Sequence, residues 1–150
     1  MKYIKGNLIK MAKQGDFDVI IHCCNCFHTM GTGIAKQIKE TFPIAYIVDC
    51  KTPYGSIDKL GFYSLARHVE NNRELLIVNA YAQHRYGRLR RQLDYKALES
   101  IFMKLSLNIP KDKRIGSYRL GCNNAGGDWD IVKDIINRHM SGHDYTTVEL

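Results

Sequence analysis

The sequence predicts an α/β fold, a mixed and largely parallel sheet covered by helices on both faces. Three observations predict it. Short runs rich in β-branched and aromatic residues alternate with amphipathic stretches along the chain. Helical crossovers between such strands require mostly parallel pairing. Two glycine-rich segments, "NCFHTMGTG" (25–33) and "GCNNAGG" (121–127), each fall between a strand and a helix, where ligands of these sheets bind.

Taken in order, "YIKGN" (3–7) reads as a short first strand closing on a turn, and "FDVIIHC" (17–23) as a buried strand, near-continuously apolar. "GIAKQIKETF" (33–42) places Ile34, Ile38 and Phe42 on one helix face; Pro43 interrupts it, and "IAYIVDC" (44–50) forms a second helix. "TPYGS" (52–56) is a turn. "LGFYSLARHV" (60–69) and "RELLIVNAY" (73–81) are two strands joined through "ENN". "QLDYKALESIFMKLSL" (92–107) aligns Leu93, Ala97, Ile101 and Leu105 in the clearest amphipathic stripe of the chain. "RIGSYRLG" (114–121) is a strand, "DWDIVKDIINRHM" (128–140) a helix that Asp128 can cap, and "YTTVEL" (145–150) a last strand.

The 150 residues fit one domain, 1–150, without repeat or linker. With 45% hydrophobic and 25% charged residues the chain is not a disordered one. No stretch resembles a signal peptide and none reaches the roughly 18 apolar residues of a membrane span, so a cytoplasmic monomer with no membrane partner is expected. The charge of +7, 22 Lys and Arg against 15 Asp and Glu, favours an anionic partner such as a nucleotide, a nucleic acid or an acidic protein; a solvated basic face is the plainer alternative. The five cysteines are odd in number and, outside one cluster, far apart, which suits free thiols better than a disulfide framework.

The candidate chemistry concentrates in the two loops. Gly31 and Gly33 open one helix; Gly121, Gly126 and Gly127 precede another. Glycine allows sharp turns and close approach to a ligand, and the first amides of a helix have no partner within it and favour an anion. Either loop alone is ordinary turn chemistry as readily as a phosphate site. Both together point to a pair of bends holding a diphosphate. No Lys follows the glycines, so neither is a Walker loop. His22, Cys23, Cys24 and Cys26 invite a metal reading, but no second C-x-x-C or H-x-x-x-H completes a tetrahedral shell, and the sequence gives neither a metal site nor a cofactor. If 21–26 is extended, His22, Cys24 and Cys26 share one face and Cys23 takes the other. Asn25 offers donors and an acceptor for ribose hydroxyls, and His22 can move a proton near neutrality; a hydrogen-bonded structural His is the alternative. "HRYGRLRRQ" (84–92) gathers Arg85, Arg88, Arg90 and Arg91 around Tyr86, either a phosphate or RNA-backbone clamp or a solvated loop.

The order of "YIKGNLI", "DVIIHCCNCFHTMGTGIAKQI", "YRLGCNNAGGDWDIV" and "TTVEL" resembles the macro domain family, the ADP-ribose-binding module, over nearly the whole chain. Within the family it most resembles the compact branch that includes ADP-ribose-1''-phosphate phosphatases and terminal ADP-ribose glycohydrolases. The resemblance implies a three-layer α/β/α fold, and a partner that is ADP-ribose or ADP-ribose-1''-phosphate. It implies that Asn7 meets the adenine amine with the Leu8 backbone beside the ring, and that Asn25 meets the distal ribose. By the same resemblance Gly31, Thr32, Gly33 and Ile34 are expected to form the first diphosphate loop, and Asn123, Asn124, Ala125, Gly126 and Gly127 the second. His22, in an "IH-x-CNC" setting shared with phosphatase-like members, is with Asn25 the implied catalytic pair. The implied activity is hydrolysis of the 1''-phosphate monoester. Its alternatives are removal of ADP-ribose from modified protein or nucleic acid, and reading of ADP-ribose without catalysis. Relatives acting on ADP-ribosyl glutamate use a Lys after the strand matching 73–81 and an Asp in the second loop. Here no Lys lies between Lys59 and Lys96, and Ala125 holds the Asp position, so a lysine adduct is not implied.

Overall fold

A computed structural model describes residues 1–87 and 89–150. In chain order its elements are β1 (Lys2–Lys5), α1 (Leu8–Gln14), β2 (Val19–Cys24), α2 (Gly33–Thr41), α3 (Pro43–Cys50), a 3₁₀ turn (Ile57–Lys59), β3 (Tyr63–Glu70), β4 (Arg73–Tyr81), α4 (Tyr95–Asn108), β5 (Arg114–Ser117), α5 (Trp129–Met140) and β6 (Asp144–Glu149). The strands form one sheet in the order β1-β6-β5-β2-β4-β3. Every neighbouring pair is parallel except β3 and β4. That one antiparallel pair is a hairpin whose two turn residues, Asn71 and Asn72, have φ of 53° and 61°. These are left-handed values, which a two-residue hairpin demands and Asn tolerates.

The period of two in β2 divides the molecule. Val19 and Ile21 pack with Leu98, Ile101, Phe102 and Leu105 of α4 and Val132, Ile135 and Ile136 of α5. Ile20 packs on the other face with Leu8 and Ala12 of α1, Ile38 of α2 and Ala45 of α3. The result is the expected three layers, helices on both sides of a mixed sheet. Pro43 stands in the first turn of α3, where its missing N–H costs nothing, and divides α3 from α2.

Two readings change. Residues 8–14, to which the sequence reading gives no element, form α1: Asn7 caps it by accepting from Lys10 N at 3.0 Å, and Gly15 at φ 92° ends it. The strand read over 114–121 is shorter. β5 pairs with β2 only at Ile115 and Gly116 and with β6 only to Ser117, and the chain then leaves the sheet. This early departure opens the site. The chain leaves β2 toward α2 on one face, and leaves its neighbour β5 toward α5 on the other. Adjacent parallel strands whose continuations part to opposite faces leave a crevice beyond their C-terminal ends.

Candidate functional site

A cavity of about 1010 Å³ fills that crevice. One wall is the segment after β2, with Asn25, Thr29 and Met30 followed by Gly31, Thr32, Gly33 and Ile34. The Asn25 side chain braces this wall: its Nδ2 donates to Thr29 Oγ1 at 2.7 Å and its Oδ1 accepts from Phe27 N at 2.8 Å. Within this segment His28 and Met30 have φ of 55° and 33°. Thr32 begins α2 without a side-chain cap, which leaves the first amides of that helix without a side-chain partner beside the cavity. Gly33 has φ of 57°, and a Cβ there would stand 3.1 Å from Asn124 Nδ2 on the opposite wall.

The opposite wall is the loop after β5, residues 118–125, including Asn123, Asn124 and Ala125. Gly126 and Gly127 fold this loop and do not line the cavity. Their amides donate to Asn123 O at 3.3 Å and Gly121 O at 2.7 Å. A Cβ on Gly127 would fall 2.4 Å from Leu93 and 2.7 Å from Gly121 O. The mouth of α5 is closed, since its cap Asp128 accepts from Asp130 N at 2.9 Å. The second wall therefore offers loop backbone and amide side chains, and among the described residues the only helix mouth on the cavity is that of α2. Asn7 and Leu8 are also outside the lining. Asn7 Oδ1 caps α1, and Leu8 N donates at 3.0 Å to the hydroxyl of Tyr118, which does line the cavity.

The floor holds His22, Cys23, Cys24 and Asp49. His22 is 1% exposed, and its Nε2 lies 2.6 Å from Asn79 Oδ1. Burial lowers its pKa to about 4 against a partial offset from Asn79, so the ring is neutral at pH 7. The Cys24 sulfur stands 3.7 and 3.6 Å from the two ring nitrogens. The alternation expected of 21–26 holds where it can be followed: Cys23 packs toward α4 and α5, while Cys24 and Cys26 cluster with Tyr81 on the other side. Burial pushes Cys23 up to about 12, Cys122 up to about 11, and Cys24 and Cys26 upward as well. All four are protonated thiols at neutral pH and poor nucleophiles. Among the described residues, no three His, Cys, Asp or Glu side chains gather as a metal-binding group.

Several cavity residues were not anticipated. Asp49 is fully buried at the end of α3; its Oδ1 accepts from the Tyr81 hydroxyl at 2.7 Å, and its Oδ2 has no partner among the described residues. Tyr118 and Arg119 border the second wall, with Arg119 paired to Glu149 at 2.5 Å. The arginine in "YRLGCNN", directly before a glycine loop, was the one available signal. Of the basic segment, Tyr86 lines the cavity mouth and is 63% exposed, and Arg85 lies 5.7 Å over the Phe27 ring. Arg91 stacks on Tyr95 at 4.3 Å, Arg90 is exposed, and Arg88 lies outside the described residues.

No family model matches the chain. Among curated proteins it is 32% identical over 146 residues to the uncharacterized 17.5 kDa protein of the tk-vs intergenic region of Enterobacteria phage T4, covering 94% of this chain and 90% of that one. It is 28% identical over 144 residues to an ADP-ribose 1''-phosphate phosphatase of Saccharomyces cerevisiae, covering 92% and 72%. Among solved structures it superposes on the macrodomain of Mycobacterium tuberculosis DarG with a TM-score of 0.77 at 18% identity, covering 99% of this chain and 97% of that one. On Thermosipho africanus DarTG in complex with ADP-ribose the TM-score is 0.78 at 19% identity, covering 99% and 41%. Among the described residues no helix is long and apolar enough to cross a membrane.

Proposed function

Because the chain belongs to the family of the phage T4 17.5 kDa protein and has the macro domain fold, we propose that its cavity binds ADP-ribose and hydrolyses ADP-ribose-1''-phosphate to ADP-ribose and phosphate. The observation that carries this reading is the crevice between two glycine loops, with the uncapped N-terminus of α2 on one wall. Its volume of about 1010 Å³ suits an extended nucleotide. Unpaired amides and the helix dipole favour a diphosphate at that wall without any lysine. The relation to the yeast phosphatase supports the monoester as substrate, and the complex of DarTG supports ADP-ribose as ligand.

In this reading the diphosphate lies between residues 31–34 and the loop 123–127, whose last two glycines hold its shape. The adenine lies toward Asn7 and Leu8, one hydrogen bond behind Tyr118. The distal ribose meets Asn25, and the terminal phosphate lies near His22. Water attacks phosphorus, the bond from phosphorus to the anomeric oxygen breaks, and His22 relays a proton. The charge that develops on the phosphoryl oxygens is met by fixed donors, which is where most of the rate enhancement in such transfers arises.

One observation favours a second reading. Tyr86 stands exposed at the cavity mouth beside Arg85, where a chain attached to the ligand would pass. ADP-ribose still joined to protein or nucleic acid is the corresponding substrate. Calorimetric titration against ADP-ribose, ADP and AMP tests the binding class, and a clear preference for ADP-ribose is expected. Phosphate release from ADP-ribose-1''-phosphate, run beside loss of label from ADP-ribosylated protein and DNA, separates the two activities. Equal affinity for the three nucleotides would end both readings.

A further inference from the structure

We propose that Asn79, a residue outside the cavity, is a positioning residue that fixes His22 as the Nε2–H tautomer and so makes its Nδ1 the acceptor at the cavity floor. The inference rests on the reading of His22 given above as the proton-handling group.

Asn79 stands opposite His22 in the parallel register of β4 on β2 and is fully buried. Three hydrogen bonds define its amide. Nδ2 donates to Ala45 O at 3.0 Å and to Ser64 Oγ at 3.1 Å, and Oδ1 faces His22 Nε2 at 2.6 Å. A backbone carbonyl only accepts, so the nitrogen end of the amide must point at Ala45. The oxygen end then points at His22 and, being a carbonyl oxygen, also only accepts. Nε2 must therefore carry the hydrogen. A neutral imidazole has one N–H, and Nδ1 is left with its lone pair.

The network behind Asn79 runs in the same sense. Ser64 Oγ and Tyr81 Oη are 2.9 Å apart, and Tyr81 Oη donates to Asp49 Oδ1 at 2.7 Å. With the Tyr81 hydrogen committed to the carboxylate, Ser64 donates to Tyr81 and is free to accept from Asn79. Each donor thus points away from His22 and toward Asp49, and reversal at Asn79 would set two carbonyl oxygens against each other at Ala45. The Cys24 sulfur is nearly equidistant from both ring nitrogens, so it does not decide the tautomer.

The consequence is chemical. In the resting state His22 can take a proton from an attacking water at Nδ1, but has no proton there to give. Protonation of the leaving anomeric oxygen must follow that uptake or come from solvent.

Long-range proton–nitrogen correlation of the ¹⁵N-labelled protein at pH 7, with His22→Gln used to assign the ring, reads the tautomer directly. A protonated Nε2 and a bare Nδ1 are expected. A protonated Nδ1 in the wild-type chain overturns the inference without touching the proposed function. Asn79→Ala is expected to mix the tautomers and to lower kcat for phosphate release about tenfold or more, with KM and ADP-ribose affinity held within about twofold. A folded Asn79→Ala chain with wild-type kcat, or one in which KM alone changes, overturns the inference. A wild-type chain that releases no phosphate overturns the functional reading, while the ring spectrum still decides the tautomer.

Discussion

Acidification is expected to unfold this protein largely through His22. The ring is buried and neutral, with a folded-state pKa of about 4 against 6.5 for an exposed histidine. Between these values the unfolded chain binds a proton that the folded chain refuses. Stability therefore rises with pH across this window, is fully present above about pH 6.5, and is lost as pH falls toward 4. The gap corresponds to roughly 3 kcal/mol at about 1.4 kcal/mol per pKa unit, a large share of the stability of a domain this size. Because His22 is only 1% exposed, solvent screening does not reduce the figure much. Other groups also titrate on acidification: Arg114 holds Asp18 below its usual range, and Arg138 holds Glu99 at about 2. A difference experiment removes them. Urea unfolding of the wild type and of His22→Gln, at intervals from pH 7 to 4.5, gives two curves of stability against pH. The wild type is expected to lose about 2–3 kcal/mol more than the variant over that range. Parallel curves would refute the argument that burial holds this ring neutral.

Three further outcomes follow from the packing. Gly33→Ala puts a side chain at φ of 57° and a Cβ 3.1 Å from Asn124 Nδ2; it is expected to cost about 1 kcal/mol in a thermal melt and to weaken ADP-ribose in calorimetry by about tenfold. Gly116→Val drives a Cβ to within 2.8 Å of the Phe17 ring, and urea unfolding should show a loss of about 1–3 kcal/mol from overpacking. Asp94→Ala removes the carboxylate that accepts from Ala97 N at 3.0 Å and begins α4; a loss of about 1 kcal/mol is expected by the same method.

What could be read in advance was whatever the chain writes locally. The stripe Leu93, Ala97, Ile101, Leu105 announced α4, Pro43 marked the boundary of α3, and Asn71–Asn72 supplied the hairpin turn. The helix α1 escaped because seven residues give under two turns, too few for a period to show; its cap, Asn7, was read as a ligand contact instead. The same division holds for the site. The two glycine loops are contiguous in sequence and were legible. Asp49, Tyr118 and Glu149 reach the cavity only through the sheet and its crossovers. The pairing of Arg119 with Glu149 spans 30 residues, and that of His22 with Asn79 spans 57. No local pattern encodes which side chain will stand opposite another across a parallel register, so the floor of the cavity was visible only as a row of residue types.

Helix capping separates the two walls more sharply than their glycines do. Asn7, Asp94 and Asp128 each accept from an amide in the first turn of the helix they begin. Thr32, also a good capping residue, makes no such bond at α2, the one helix among the described residues whose N-terminus opens on the cavity. Leaving it unmade forgoes about 1 kcal/mol, which is reasonable if an anion completes the helix instead. Thr32→Asp tests this directly. A carboxylate at the cap would satisfy the open amides and interact favourably with the dipole, so the unliganded protein should gain about 0.5–1 kcal/mol in urea unfolding. The same charge would occupy the anion position and repel a diphosphate, so ADP-ribose affinity should fall by about tenfold or more. Stability and affinity moving in opposite directions is the signature of a helix terminus held open for ligand. A stabilised variant that binds ADP-ribose as tightly as the wild type would place the diphosphate somewhere other than α2.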